Sequence, residues 1–237
     1  MAQLWAGTSG FAYPQWKPDF YPAKIAAKQF LEHYATQLNS VEINYTFRRL
    51  VAGTTLENWV RSTPPDFRFS MKAHMRITHL LRLKNAGEFT EVFLKSVDPL
   101  RATRRLGPLL FQLPPNLKCD TGLLSDYLAL LPGDLRYAFE FRNTTWMNDA
   151  VYSILASRGM SLCLAESDKF ETPPVVTAGF VYARLRKAEY SEDDRREIAD
   201  RVRAHTTEGR DVFVYFKHEE TPAGALYAKE LIAEVSA

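Results

Sequence analysis

Alternating apolar and polar positions pick out eight short extended runs, at residues 3–8, 40–46, 68–74, 108–113, 136–142, 161–166, 180–186 and 211–217. Period-two alternation marks strands whose two faces meet different surroundings. The segments between the runs carry helical signals. Thr54 with Glu57 and Ser191 with Asp194 have capping-box spacing, and Thr221 followed by Pro222 reads as an N-cap with a first-turn proline. Gly159 and Gly209 stand where a helix must end before the next run. The runs recur about every 30 residues, the length of one strand-plus-crossover unit, and eight units fill residues 1–237 as one domain. The expected fold is therefore α/β, a single (β/α)8 barrel of the TIM type. An open doubly wound sheet is the alternative, but no GxGxxG or GxxxxGK[ST] follows the first run. Residues 167–179, with Pro173 and Pro174, are too proline-broken for a full helix, so the barrel is expected to be irregular between its sixth and seventh strands.

The two faces of each run differ in chemistry. In the second, Val41, Ile43 and Tyr45 oppose Ser40, Glu42 and Asn44; in the third, Phe67, Phe69 and Met71 oppose Arg68, Ser70, Lys72 and His74. The fifth sets Phe139 and Phe141 against Glu140 and Arg142, and the fourth sets Phe111 against Gln112. The last two place Tyr182, Arg184 and Arg186, and then Phe213, Tyr215 and Lys217, on the face opposite their aliphatic residues. The outer face of a parallel barrel packs on helices and must be apolar, so the charged face points inward. The charges also fall late in the runs, at the end where barrel active sites are built. Glu42, Lys72, Glu140, Arg142 and Arg184 are thus expected to converge inside the barrel near its C-terminal end. They form either a self-paired network filling the interior or a functional site. Interior charges are expensive before pairing, which favours function.

Composition adds only limits. With 30 Lys+Arg against 28 Asp+Glu and 46% hydrophobic residues, the chain is an ordinary globular protein, neither disordered nor collagenous. Cys119 and Cys163 are too few and too far apart for a disulfide framework, a zinc site or a CxxC pair, and both are expected to be reduced packing residues. No apolar run approaches the roughly 18 residues of a membrane span, and no signal region precedes the first run, so a cytoplasmic location without membrane contact is expected. Residues 68–105 hold nine Lys/Arg and three Asp/Glu, a local excess that hints at nucleic-acid binding without any accompanying motif.

The ordered motifs resemble a known family. Gly7-Thr8-Ser9-Gly10-Phe11 with Trp16 and Phe20-Tyr21-Pro22, Val41-Glu42-Ile43-Asn44 with Thr46-Phe47, and Phe69-Ser70-Met71-Lys72-Ala73 with Ile77-Thr78-His79 are similar to the domain of unknown function 72 family (YecE-like). Leu106-Gly107-Pro108, Gln112-Leu113-Pro114-Pro115, Glu140-Phe141-Arg142 with Trp146, and Tyr182-Ala183-Arg184-Leu185 continue the likeness along nearly the whole chain. The resemblance implies a TIM-type barrel and no established reaction. Two places depart from the family pattern: Arg186-Lys187 stands where a His-Gly is usual, and Lys217-His218-Glu219-Glu220 where an Asn-rich turn is usual.

Several chemistries fit these residues. Glu42 and Glu140 are a candidate acid/base pair, provided their surroundings drive their pKa values apart, and Arg142 is the expected orienting partner of Glu140. Lys72, at a strand end, is a candidate catalytic amine, able to form a Schiff base of the kind barrel aldolases use if nearby cations depress its pKa. Thr8 and Ser9 offer hydroxyls and backbone donors in a turn, and the aromatic loop 10–22, with Trp16, is either a lid over a flat ligand or part of the core. Asn44, His74, Gln112, Arg142, Arg184 and Tyr215 complete the expected binding set. His74, His79 and His218 with Glu166 and Asp168 have the residue types of a metal cluster, but the inward cations would repel a divalent ion, so neither metal nor cofactor is expected. The inward set with Arg186 and Lys217 included has five cations and two carboxylates. The expected function is thus an enzyme acting on a small anionic, phosphate- or carboxylate-bearing substrate by acid/base chemistry. A nucleic-acid binding or processing protein using residues 68–105 is the alternative, and a noncatalytic ligand-binding barrel is a third reading.

Overall fold

The computed structural model describes residues 2–168 and 170–236. Parallel strands β1 (Leu4–Ser9), β2 (Ser40–Ile43), β3 (Arg68–Lys72), β4 (Leu106–Gln112), β5 (Tyr137–Glu140), β6 (Ser161–Ser167), β8 (Phe180–Arg186) and β9 (Asp211–Phe216) pair in the order β5-β4-β3-β2-β1-β9-β8-β6, and a β5–β6 pairing closes the barrel. The short β7 (Phe170–Glu171) folds back antiparallel on β6, where the sequence forbids a helix. Helices α1 (Phe30–Gln37), α2 (Gly53–Arg61), α3 (Gly87–Ser96), α4 (Asp98–Ala102), α5 (Thr121–Ala129), α6 (Asp149–Ser157), α7 (Glu192–Thr207) and α8 (Ala223–Ser236) fill the other crossovers. None is long and apolar enough to cross a membrane, among the described residues.

Local chemistry explains most boundaries. Ser191 and Asp194 form the anticipated capping box on α7, and Gly159 and Gly209 take φ of 61° and 82° just past α6 and α7. Thr54 and Glu57 form no such box: α2 starts two residues earlier, with Ala52 at the cap and no side-chain cap bond. Likewise α8 begins at Ala223, with the Pro222 carbonyl accepting from Ala225 and Leu226 N–H. Strand β2 stops at Ile43, because Asn44 already has helical φ/ψ and Tyr45–Phe47 form a 3-10 turn.

Burial follows the alternation. Val41, Ile43, Phe69, Met71, Phe111 and Phe139 join the helices in the outer core, whereas Trp5, Leu110, Ala138, Cys163, Phe180, Tyr182, Phe213 and Tyr215 make a separate cluster inside the barrel. At its N-terminal end the barrel is plugged by Trp5 stacked on Phe213 at 4.7 Å, with the Arg68 and Arg136 guanidiniums lying over these rings. The loop after β1 is core: Trp16 and Tyr21 are fully buried, and Tyr21 stacks on Phe30 at 4.4 Å. Both cysteines are free thiols, Cys163 buried and Cys119 half-buried.

Candidate active site

The inward-facing charges meet where the strands end. Arg184, on β8 and 2% exposed, reaches across the barrel to both carboxylates: Nη2 donates to Glu42 Oε1 at 2.8 Å and Nη1 to Glu140 Oε2 at 2.5 Å. Glu42 also accepts from Ser9 Oγ and from Tyr182 OH, each at 2.7 Å. Glu140 accepts from Arg186 Nη2 and Gln112 Nε2 at 2.8 Å and from Arg142 Nε at 3.0 Å. Gln112 in turn accepts from Lys72 Nζ at 2.8 Å. One hydrogen-bonded chain thus runs from Ser9 through Glu42, Arg184, Glu140 and Gln112 to Lys72. Below it Tyr215 OH lies 2.6 Å from Ser40 Oγ and 2.8 Å from Ser70 Oγ, forming a polar layer deeper in the barrel.

Electrostatics separates these groups into two kinds. Burial alone would raise the pKa of either carboxylate. The Arg184 charge and its hydrogen bond, with those of Ser9 and Tyr182, outweigh that for Glu42, and Arg184, Arg186 and Arg142 together outweigh it for Glu140. Both carboxyls are therefore held below the usual range. Both shifts run downward, because one guanidinium serves both. Lys72 behaves oppositely: burial and then Arg184 press its ammonium down to about 8, against partial opposition from Glu42 and Glu140. His79 is also lowered, by burial and by Lys72, Arg142 and Arg82. It rides on a π-helical turn, Arg76–Leu80, that carries the imidazole over the ring of Phe47.

Other expected residues fall elsewhere. Thr8 faces the helices: its N–H donates to Tyr34 OH and its hydroxyl to the Gly10 carbonyl, so only Ser9 of that pair meets the carboxylates. His74 is a structural ring, accepting from Arg76 N–H at Nδ1 and donating from Nε2 to the Arg48 carbonyl. Asn44, beyond the end of β2, lines a separate cavity beside Phe11, Tyr45 and Trp59. Trp16 is sealed in the loop core. No group of three or more His, Cys, Asp or Glu converges in metal-binding fashion among the described residues. The basic segment is divided by β3, with Arg68 and Arg104 lining a cavity at the N-terminal end of the barrel and Lys72 at the opposite end. Arg105 is 4% exposed and tied to the Phe67 and Thr63 carbonyls.

Tyr182 and Arg186 were findable from the parity of the seventh run, which puts them on the Arg184 face. Phe47 was not, because it sits on a turn with no strand alternation. Above the network the loops enclose a cavity of about 860 Å³, lined among others by Arg142, Arg186, Ser167, Lys217 and His218.

A closed parallel barrel with its charged groups gathered at the strand C-termini defines a TIM-type protein. The chain belongs to the family described as Protein of unknown function DUF72, whose model matches residues 5–237. It is 30% identical to the UPF0759 protein YunF of Bacillus subtilis (strain 168) over 139 residues, which are 56% of this chain and about half (49%) of that protein's length. A DUF72 family protein from Thermotoga maritima MSB8 superimposes with a TM-score of 0.83 at 24% identity, covering 99% of this chain and 100% of the other. Another, from Enterococcus faecalis V583, gives 0.78 at 20% identity, covering 100% and 98%. These structures share the fold.

Proposed function

We propose that the protein is an enzyme that binds a small phosphate- or carboxylate-bearing substrate at the C-terminal mouth of the barrel and acts on it by acid/base chemistry. The observation that carries this reading is charge imbalance: among the described residues, Lys72, Arg142, Arg184 and Arg186 share one hydrogen-bonded network with two carboxylates only. Lys217 pairs with Glu219 at 3.4 Å and adds nothing to the excess. Among the described residues Arg142 uses only Nε on Glu140 and Arg186 only Nη2, so both guanidiniums keep donors for an anion. Glu42 and Glu140, held ionised, orient these cations. Lys72 is the group suited to exchange a proton near neutral pH.

Inorganic phosphate tests the anion site. At ten times its Kd it should stabilise the fold by about 1.4 kcal/mol, which for a chain of this size is roughly 3–6 °C in Tm. Arg142→Ala, which leaves Glu140 its two other guanidiniums, should remove that shift. Stabilisation no greater than that given by chloride at equal ionic strength would remove the basis for the reading.

A further inference from the structure

Lys72 differs from every other cation of the mouth. Arg142, Arg184 and Arg186 each hold Glu140, whereas Lys72 makes no ion pair among the described residues and donates to the neutral amide oxygen of Gln112. Its Nζ stands 4.3 Å from the centroid of the Phe47 ring, and the His79 imidazole meets that same ring edge-on at 4.8 Å. A half-buried amine beside neighbouring guanidiniums has lost hydration that stabilises an ammonium, which the π face and one amide replace only in part. Burial and the Arg184 charge lower its pKa to about 8 in keeping with that setting. It is also close to the anion-binding arginines: Gln112 bridges Lys72 to the Glu140 oxygen that Arg142 and Arg186 hold. A small molecule whose anionic group rests on Arg142 and Arg186 would lie beside the network that ends at Nζ.

We propose that Lys72 is a nucleophilic amine that forms an imine with the carbonyl group of an anionic aldehyde or ketone held by Arg142 and Arg186. This rests on the anion-binding reading above and names the substrate class. The neutral Nζ lone pair forms the C–N bond while the carbonyl π pair moves to oxygen. One amine hydrogen transfers to that oxygen, one further proton comes from solvent, the C–O bond breaks and the oxygen leaves as water. The product is a protonated imine, with no change of oxidation state. Phe47 shields one side of the amine, and Gln112 fixes its position.

Pyridoxal 5′-phosphate, an anionic aldehyde, is a suitable probe for the full-length protein, with pyridoxal as its uncharged counterpart. After incubation, borohydride reduction and peptide mass mapping, the phosphopyridoxyl group should lie on Lys72 at least about tenfold above the other ten lysines. Inorganic phosphate should compete, and Lys72→Arg, which keeps the charge, should lose the adduct. Site mapping on the unmutated chain decides the matter even where that variant folds poorly. Selective labelling of Lys72 by both aldehydes alike would keep the amine assignment and sink the anion reading. Labelling of Lys72 at the level of surface lysines by either aldehyde would overturn the imine proposal, whatever phosphate does to Tm.

Discussion

At the scale of single residues, Glu140 and Arg142 show how position decides a charge's worth. Glu140 is fully buried and accepts from three guanidiniums, so replacing its charge leaves Arg186 without its counterion and Arg184 with Glu42 alone. Glu140→Gln should cost about 3–5 kcal/mol, the usual penalty for breaking a buried pair from one side. Arg142 has a side chain 37% exposed, and its loss leaves Glu140 still doubly paired, so Arg142→Ala should cost about 0–1 kcal/mol. Urea unfolding of the two variants measures the contrast. A Glu140→Gln protein as stable as its parent would mean that the carboxylate is held against its folding interest, as a catalytic group is, and would return Glu140 to the chemistry that its strand position alone suggests.

At the scale of elements, the junction of β1, β2 and α1 depends on one missing side chain. The Tyr34 hydroxyl accepts from Thr8 N–H at 2.8 Å and donates to the Ser40 carbonyl at 2.9 Å, bridging the strands beside Gly7. A Cβ on Gly7 would lie 1.8 Å from the Ser40 oxygen and 2.7 Å from the Tyr34 hydroxyl, so Gly7→Ala must move backbone. It should cost at least about 1–3 kcal/mol, while Gly133→Ala, which meets nothing within 4 Å, should stay within about 0.5 kcal/mol. Equal midpoints for the two in urea would show that β1 and β2 can part without penalty. The same junction marks what sequence pattern discloses. Period-two alternation carried the eight strands and the inward placement of Glu42, Lys72, Glu140 and Arg184, because a parallel barrel forces one face to be apolar. It failed where strands end: Asn44 and His74 continue the alternation on paper, but the chain has already turned at both. Thr8 failed for the opposite reason, since it lies within β1 but on the helix face. The pKa pattern was out of reach, because it depends on one arginine touching two carboxylates from different strands.

At the scale of the whole molecule, the network proposed to draw an anion to the mouth also sets how the barrel responds to acid. Glu42 and Glu140 have folded-state pKa values depressed below their ordinary 4.5, for the reasons of pairing given above. A group depressed on folding contributes stability that is complete above its unfolded pKa and is lost as pH falls through the folded value. Below pH 4.5 the unfolded chain therefore binds protons that the folded barrel refuses. Each such carboxylate adds a slope of at most about 1.4 kcal/mol per pH unit. With both acting, unfolding free energies from urea titrations should fall between pH 4.5 and 3 with a combined slope that steepens toward about 2.7 kcal/mol per unit as the unfolded carboxyls become fully protonated. Lys72 cannot offset this, because it is protonated in both states throughout that range. A slope of one proton or less would mean that Glu42 and Glu140 share a proton in the folded barrel. Arg184 would then have a single full counterion, and the charge excess assigned to the mouth would have to be counted again.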